Sequence, residues 1–351
     1  MAKRSGNNGE PGEAVEFDGT MSESAATETA MRPVGAPRLR QRNRPVHGVR
    51  ISGDRIFRVL LWGAGLLVLA LLALIVALLF QGGLPALINF GVGFLWSTSW
   101  NPVTERFGAG VMIYGTLVTS LIALLIAVPM ALGIAFFLTE IAPVRLRRPV
   151  GIAVQLLAAI PSIIYGMWGF FVVVPLLARY VEPGLTAALG QLPLIGELFS
   201  GAPLGFGILT AGLIVAIMIL PFISSLFVDI VEAAPTMLKE SAYGVGATTF
   251  EVFHRVSTAY GRPAMVGAVM LGLGRALGET MAVTFVVGNA TRISTSLFAP
   301  GATIASTIAN QFNEAQLESL LRSSLLELGF ILFVISFIVL AISRVLTRRR
   351  A

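Results

Sequence analysis

Six apolar stretches, separated by polar or charged segments, dominate the pattern of the chain. They run roughly over 57–80, 114–138, 150–178, 206–228, 264–288 and 325–346. At about 1.5 Å per helical residue, each is long enough for a hydrocarbon core roughly 30 Å thick. The stretch 84–100 is interrupted by Gly82, Gly83, Pro85, Asn89 and Ser97, so it reads as a surface segment. Trp96 and Trp100 suit a membrane interface there. Pro129 and Pro221 mark kinks in the second and fourth spans. Residues 1–55 are polar and aperiodic and predict a disordered cytoplasmic tail, with no signal-peptide cleavage site after the first apolar run. The predicted fold is therefore all-α and polytopic, with a permease domain of six transmembrane helices over 56–346 and a basic C-terminus over 347–351.

Arginine placement predicts the orientation. The tail, the segment with Arg145, Arg147 and Arg148, the segment with Lys239, Arg255 and Arg262, and the C-terminal Arg348, Arg349 and Arg350 all fall on one side. Arg106, Arg179, Arg292 and Arg322 on the other side are interspersed with glutamates. The positive-inside rule then places both termini in the cytoplasm, as an even number of spans requires.

Composition agrees with a membrane solvent: 55% of residues are hydrophobic, 13% are charged, and the mean hydropathy is +0.82. The net charge of +6 is read as arginine facing the cytoplasm and anionic lipid, not nucleic acid. The absence of cysteine removes disulfides and thiolate metal sites, and two histidines are too few for a metal cage or haem. No cofactor or metal is expected. The only lysines, Lys3 and Lys239, follow no glycine-rich turn, so the chain has no nucleotide-binding loop of its own. It is expected not to be an enzyme. Uphill transport would need a separate ATPase or an ion gradient, and gradient-driven carriers usually keep several ionisable groups in their spans.

Two segments carry candidate chemistry. Between spans four and five, Pro235 suits the first turn of a short helix, and Gly244 and Gly246 can end it. Thr248-Thr249-Phe250-Glu251 has the pattern of a capping box opening a second helix. The expected product is a pair of short helices over 232–262, either lying on lipid or docking a partner. In span five, Arg275 needs a partner or a water-filled path. Glu279 would lie four residues on, on the same helix face. Gly274 and Gly278 have the spacing that lets a neighbouring helix approach closely. Arg275 and Glu279 are either a structural ion pair or a switchable anion site, since guanidinium suits a tetrahedral oxyanion. Thr280 follows them. In span three, Ser162 and Tyr165 follow Pro161 and either line a path or satisfy the broken helix. Thr116, Thr119 and Ser120 open span two, facing headgroups or a pore, and the segment 293–313 suits a short helix on the outer face.

Glu240-Ser241-Ala242, three residues and then Gly246 resembles the EAA motif of ABC-importer permeases, with Ser241 in place of the usual first alanine. Where that family continues into Ile-x-Leu-Pro, this chain has Val256-Ser257-Thr258-Ala259. The string Gly272-Leu273-Gly274-Arg275-Ala276-Leu277-Gly278-Glu279-Thr280-Met281-Ala282-Val283 resembles the C-type membrane subunits of phosphate-specific ABC importers. So do Ala159 to Gly169 and Tyr114 to Ser120. The resemblance covers about 55–346. It implies the type I ABC-importer permease fold in a bacterial plasma membrane. It further implies an ATPase subunit docked through Glu240, Ala242 and Gly246, a second, A-type permease subunit, and an extracytoplasmic phosphate-binding protein. Phosphate would pass by Arg275, Glu279, Thr280, Ser162 and Tyr165. Another oxyanion such as sulfate or molybdate, or a gradient-driven carrier, are the alternatives.

Overall fold

The computed structural model describes residues 51–348 except Leu194 and Leu317, so the expected tail lies almost wholly outside the described residues. The chain divides into two units, one ending at Leu60 and one comprising 61–351. Its helices, in order, are α1 (Ile51–Phe90), α2 (Gly110–Phe136), α3 (Val144–Ala158), α4 (Ser162–Trp168), α5 (Val174–Leu176), α6 (Glu182–Leu189) and α7 (Ile208–Glu232). They continue as α8 (Thr236–Gly244), α9 (Thr249–Glu251), α10 (Thr258–Leu277), α11 (Met281–Val286), α12 (Ile304–Gln311) and α13 (Leu320–Arg348). Short π-helical turns bridge α4, α5 and α6 and connect α9 to α10.

Among the described residues, five helical segments are long and apolar enough to cross a membrane: Gly53–Leu95, Gly110–Ile141, Ser162–Leu189, Ile208–Glu232 and Leu320–Val345. α7 is the most enclosed and forms the centre of the packing. α2 lies along it through Ala123, Ala127, Ala131 and Ala135, all fully buried. This four-residue repeat of methyl groups lets two backbones approach, and dispersion rather than water exclusion holds them in lipid. α10 packs against both α2 and α7, meeting α7 where Gly261 abuts Ile230 and Gly272 abuts Ile223. The close approach expected at Gly274 and Gly278 is found at Gly261 and Gly272 instead: among the described residues, no other helix lies within 4 Å of where a Cβ of Gly274 or Gly278 would stand. A Gly272→Leu substitution has no room beside Ile223. Overpacking should cost about 1–3 kcal/mol, read as a lower thermal midpoint of the purified protein in detergent; Gly274→Leu should leave that midpoint unchanged.

Three expected spans change shape. The first helix does not stop near residue 80. It passes Pro85 to Phe90 and continues as a 3₁₀ turn to Leu95. A proline disrupts the helical ladder of the preceding turn, and Ser323 of α13 repairs it. Its hydroxyl donates to the Gly82 carbonyl (2.8 Å) and accepts from the Ala86 N–H (3.0 Å). The surface segment expected over 84–100 is thus partly a continuation of α1. Trp96 is exposed, whereas Trp100 is buried with Phe94 and Phe107 and donates from Nε1 to Gln311 Oε1 at 2.9 Å.

The span expected over 150–178 is two helices. α3, with no buried residue, is separated from α4 by Ala159–Pro161, and the crossing begins at Ser162. Pro161 adopts an extended conformation and cannot continue α3, which enforces the break. The span expected over 264–288 is likewise split into α10 and α11.

The polar start of α2 faces neither headgroups nor a pore. Thr116, Thr119 and Ser120 are buried. Thr116 donates to the Met112 carbonyl (2.7 Å) and accepts from the Ile304 N–H (3.0 Å), tying α2 to the start of α12. That helix, inside the segment 293–313, opens with a capping box between Thr303 and Ser306 and is packed rather than peripheral.

Candidate functional site

The helix carrying Arg275 ends two residues later. Leu277 closes α10, and residues 278–280 run non-helically before α11 starts at Met281. The Gly278 N–H reaches back to Gly274 O at 3.4 Å and the Glu279 N–H to Ala276 O at 3.3 Å, the tightened ladder of a helix end. Arg275 is exposed, in the last turn of α10, where a cation also complements the exposed carbonyl groups. Gly274 and Gly278 keep that side of the backbone uncovered.

The break changes the reading of Glu279. Four positions equal one helical turn only while the helix persists. Here Glu279 has left the helix and does not pair with Arg275. Its carboxylate accepts from the Ala282 N–H at 3.4 Å, at the start of α11. Thr280 is half-buried; its hydroxyl donates to the Gly278 carbonyl (3.1 Å), and its own carbonyl accepts from the Thr284 hydroxyl (2.7 Å).

Span three brings its two polar residues beside the same break. α11 packs on α4, with Gly166 so close to Ala282 that a Cβ there would lie 2.9 Å from Ala282 Cα. Tyr165 is buried and its hydroxyl donates to the Leu157 carbonyl at 2.7 Å, so it satisfies the freed end of α3. Ser162 is half-buried at the start of α4. The packing of α11 on α4 sets the two helix breaks side by side, with an exposed guanidinium at one and a tyrosine at the other. A tetrahedral oxyanion can be held by such a fork of N–H donors.

The second candidate region follows α7. Pro235 precedes α8 and initiates it, and Gly246 has φ +89°, a left-handed value that suits glycine. The capping box exists as read. Thr248 N–H and hydroxyl both donate to Glu251 Oε2 at 2.9 Å, and the Glu251 N–H donates to Thr248 Oγ1 at 3.3 Å. Those bonds, the backbone one foremost, hold the Glu251 carboxyl below its ordinary range. Glu240 and Gly246 are exposed and Ala242 half-buried. Around them Met237, Val245 and Phe250 are exposed, an apolar surface on a polar scaffold. Val252 and Phe253 are buried beneath it. Glu140, at the far end of span two, ion-pairs with Lys239 and had no local signature in the sequence.

Residues 130–351 match the family model described as the binding-protein-dependent transport system inner membrane component. Over 296 residues the chain is 57% identical to a protein of Mesorhizobium japonicum named "Phosphate transport system permease protein PstC", covering 84% of this chain and 90% of the relative. A protein of the same name from Pasteurella multocida is 55% identical over 282 residues, covering 80% of this chain and 88% of the relative. Among solved structures, a bacterial alginate ABC transporter in complex with an alginate pentasaccharide-bound periplasmic protein superposes with a TM-score of 0.57. That likeness has 17% identity and covers 86% of this chain and 98% of the matched chain.

Proposed function

The chain belongs to the family of binding-protein-dependent transport system inner membrane components, and from that premise we propose that it forms one half of the membrane pathway of an ATP-driven importer for inorganic phosphate. It is a multi-pass cell-membrane permease and not an enzyme; ATP is hydrolysed by a partner subunit. The observation that carries the substrate assignment is identity above half, over four-fifths of the chain, to permeases named for phosphate transport. Crossings by the five apolar helices and by α10–α11 keep both termini in the cytoplasm, on the side of the 232–262 loop. That loop docks the ATPase through Glu240, Ala242 and Gly246, supported by the exposed apolar residues around them. A second, A-type permease subunit completes the pathway, and an extracytoplasmic binding protein delivers phosphate to it. Arg275 is the anion contact, with Glu279, Thr280, Ser162 and Tyr165 around it. Support for Arg275 comes from its exposure and its freedom from Glu279.

The test is to co-purify the complex, reconstitute it in vesicles with the binding protein outside, and measure ATP hydrolysis and phosphate uptake together. Phosphate-loaded binding protein should raise both, and sulfate should raise neither. Phosphate movement by the chain alone, driven by a proton gradient, would overturn the proposal.

A further inference from the structure

The docking loop is held to the body of the protein at more than its two covalent ends. Lys239, immediately before Glu240, places its Nζ 3.1 Å from Glu140 Oε1, across 99 positions of sequence. The two side chains are only 19% and 11% exposed, so solvent and salt screen this pair less than an ordinary surface bridge. Glu140 lies in the π-helical turn Phe137–Ile141 that ends span two. Four residues before it, Phe136 meets the other half of the loop. Its ring lies 4.7 Å from that of Phe253 and 5.7 Å, edge-on, from that of Phe250. Two residues one turn apart at the end of α2 therefore grip both helices of the loop, Glu140 holding α8 and Phe136 holding α9 and the π turn after it.

We propose that Lys239 and Glu140 are positioning residues that strap the docking loop to α2, so that displacement of the loop by the ATPase moves α2 as well as α10. The proposal rests on the transport reading above. The covalent paths lead from the loop back into α7 at Glu232 and forward through the π turn Val252–Ser257 into α10. The strap adds a further lever. α2 is packed to α7 along its alanine stripe and touches α10 directly, and α7 meets α10 at Gly261 and Gly272, so a push on α2 reaches the helix of Arg275 through side-chain packing as well as through the chain. Close-packed contacts of this kind transmit displacement rather than absorb it. The aromatic contacts set where the loop sits, and the ion pair resists rotation of α8 about them.

The sequence makes the pair addressable, because the chain has lysine only at Lys3 and Lys239. Zero-length carbodiimide coupling of the full complex in membranes should yield a peptide joining Glu140 to Lys239. Uptake and hydrolysis are then measured for Glu140→Lys, Lys239→Glu and the double exchange. Each single change should raise the ATP consumed per phosphate imported by about tenfold while ATPase retention stays at wild type. The double exchange should return the ratio to within about twofold of wild type, as an electrostatic strap requires. Glu140→Gln, which keeps size and removes charge, serves if a reversal fails to accumulate. Single variants with an unchanged ratio, an exchange no better than its worse parent, or absence of the coupled peptide would overturn the strap. A wild-type complex whose ATPase ignores loaded binding protein would instead overturn the transport reading.

Discussion

Replacing Arg275 with Gln should abolish phosphate uptake while leaving protein level and complex assembly at wild type. Hydrogen bonds to a charged group contribute roughly 1.5–3 kcal/mol each, so losing a two-bond guanidinium fork should reduce uptake on the order of a hundredfold or more. Folding should be spared for a structural reason. Arg275 is exposed, is not paired with Glu279, and lies between Gly274 and Gly278, where among the described residues no other helix comes within 4 Å of an added Cβ. Removing its charge therefore opens no cavity and strands no carboxylate. Arg275→Lys keeps the charge but not the planar fork, and should give intermediate uptake. Uptake in vesicles, normalised to assembled complex, reads the result. Normal uptake by the Gln variant would remove Arg275 from the pathway, and loss of assembly would make it a structural residue.

The second large effect is expected at Gly246. Its φ of +89° lies in the left-handed region, and its position has nothing within 4 Å to clash with a side chain. Any effect of substitution must then arise in the backbone. A non-glycine residue held there costs roughly 1–2 kcal/mol, and a β-branched one more. The Gly246 N–H bonds to Tyr243 O at 2.9 Å and the Ala247 N–H to Ala242 O at 3.1 Å, closing the turn between α8 and α9. With valine the turn should relax, rotating Glu240 and Ala242 away from the docking surface. Retention of the ATPase on the purified permease should fall about tenfold for Gly246→Val. Gly246→Asn, which tolerates positive φ, should retain most of it. Equal retention by the two variants would show that the turn's conformation does not govern docking.

Much of this was legible in the chain itself. Apolar runs are a one-dimensional signal, and they marked the chain as a multi-pass membrane protein whatever the packing. Helix starts are also local, so the capping box at Thr248 and Glu251 and the initiation after Pro235 could be read directly. The EAA-like string and the Arg275 string were visible for the same reason, and they point to the family that the comparisons then show.

What failed was every inference that extended local periodicity through a point where a distant group intervenes. α1 passes Pro85 because Ser323, more than two hundred positions away, supplies the missing hydrogen bonds. Thr116 is buried because the Ile304 N–H needs its hydroxyl. The Tyr165 hydroxyl donates to the Leu157 carbonyl at the end of α3, one of the two roles its place after Pro161 allowed.

The sequence by itself determined that this is a membrane permease with a polar loop after its fourth apolar stretch and an arginine, Arg275, within its fifth. Hydrophobicity and capping act between neighbours in the chain, so they need no fold to be read. Only the tertiary structure decided that Arg275 stands apart from Glu279, because the helix ends between them. It alone joined Glu140 to Lys239, because a contact across 99 positions exists only once the helices have packed.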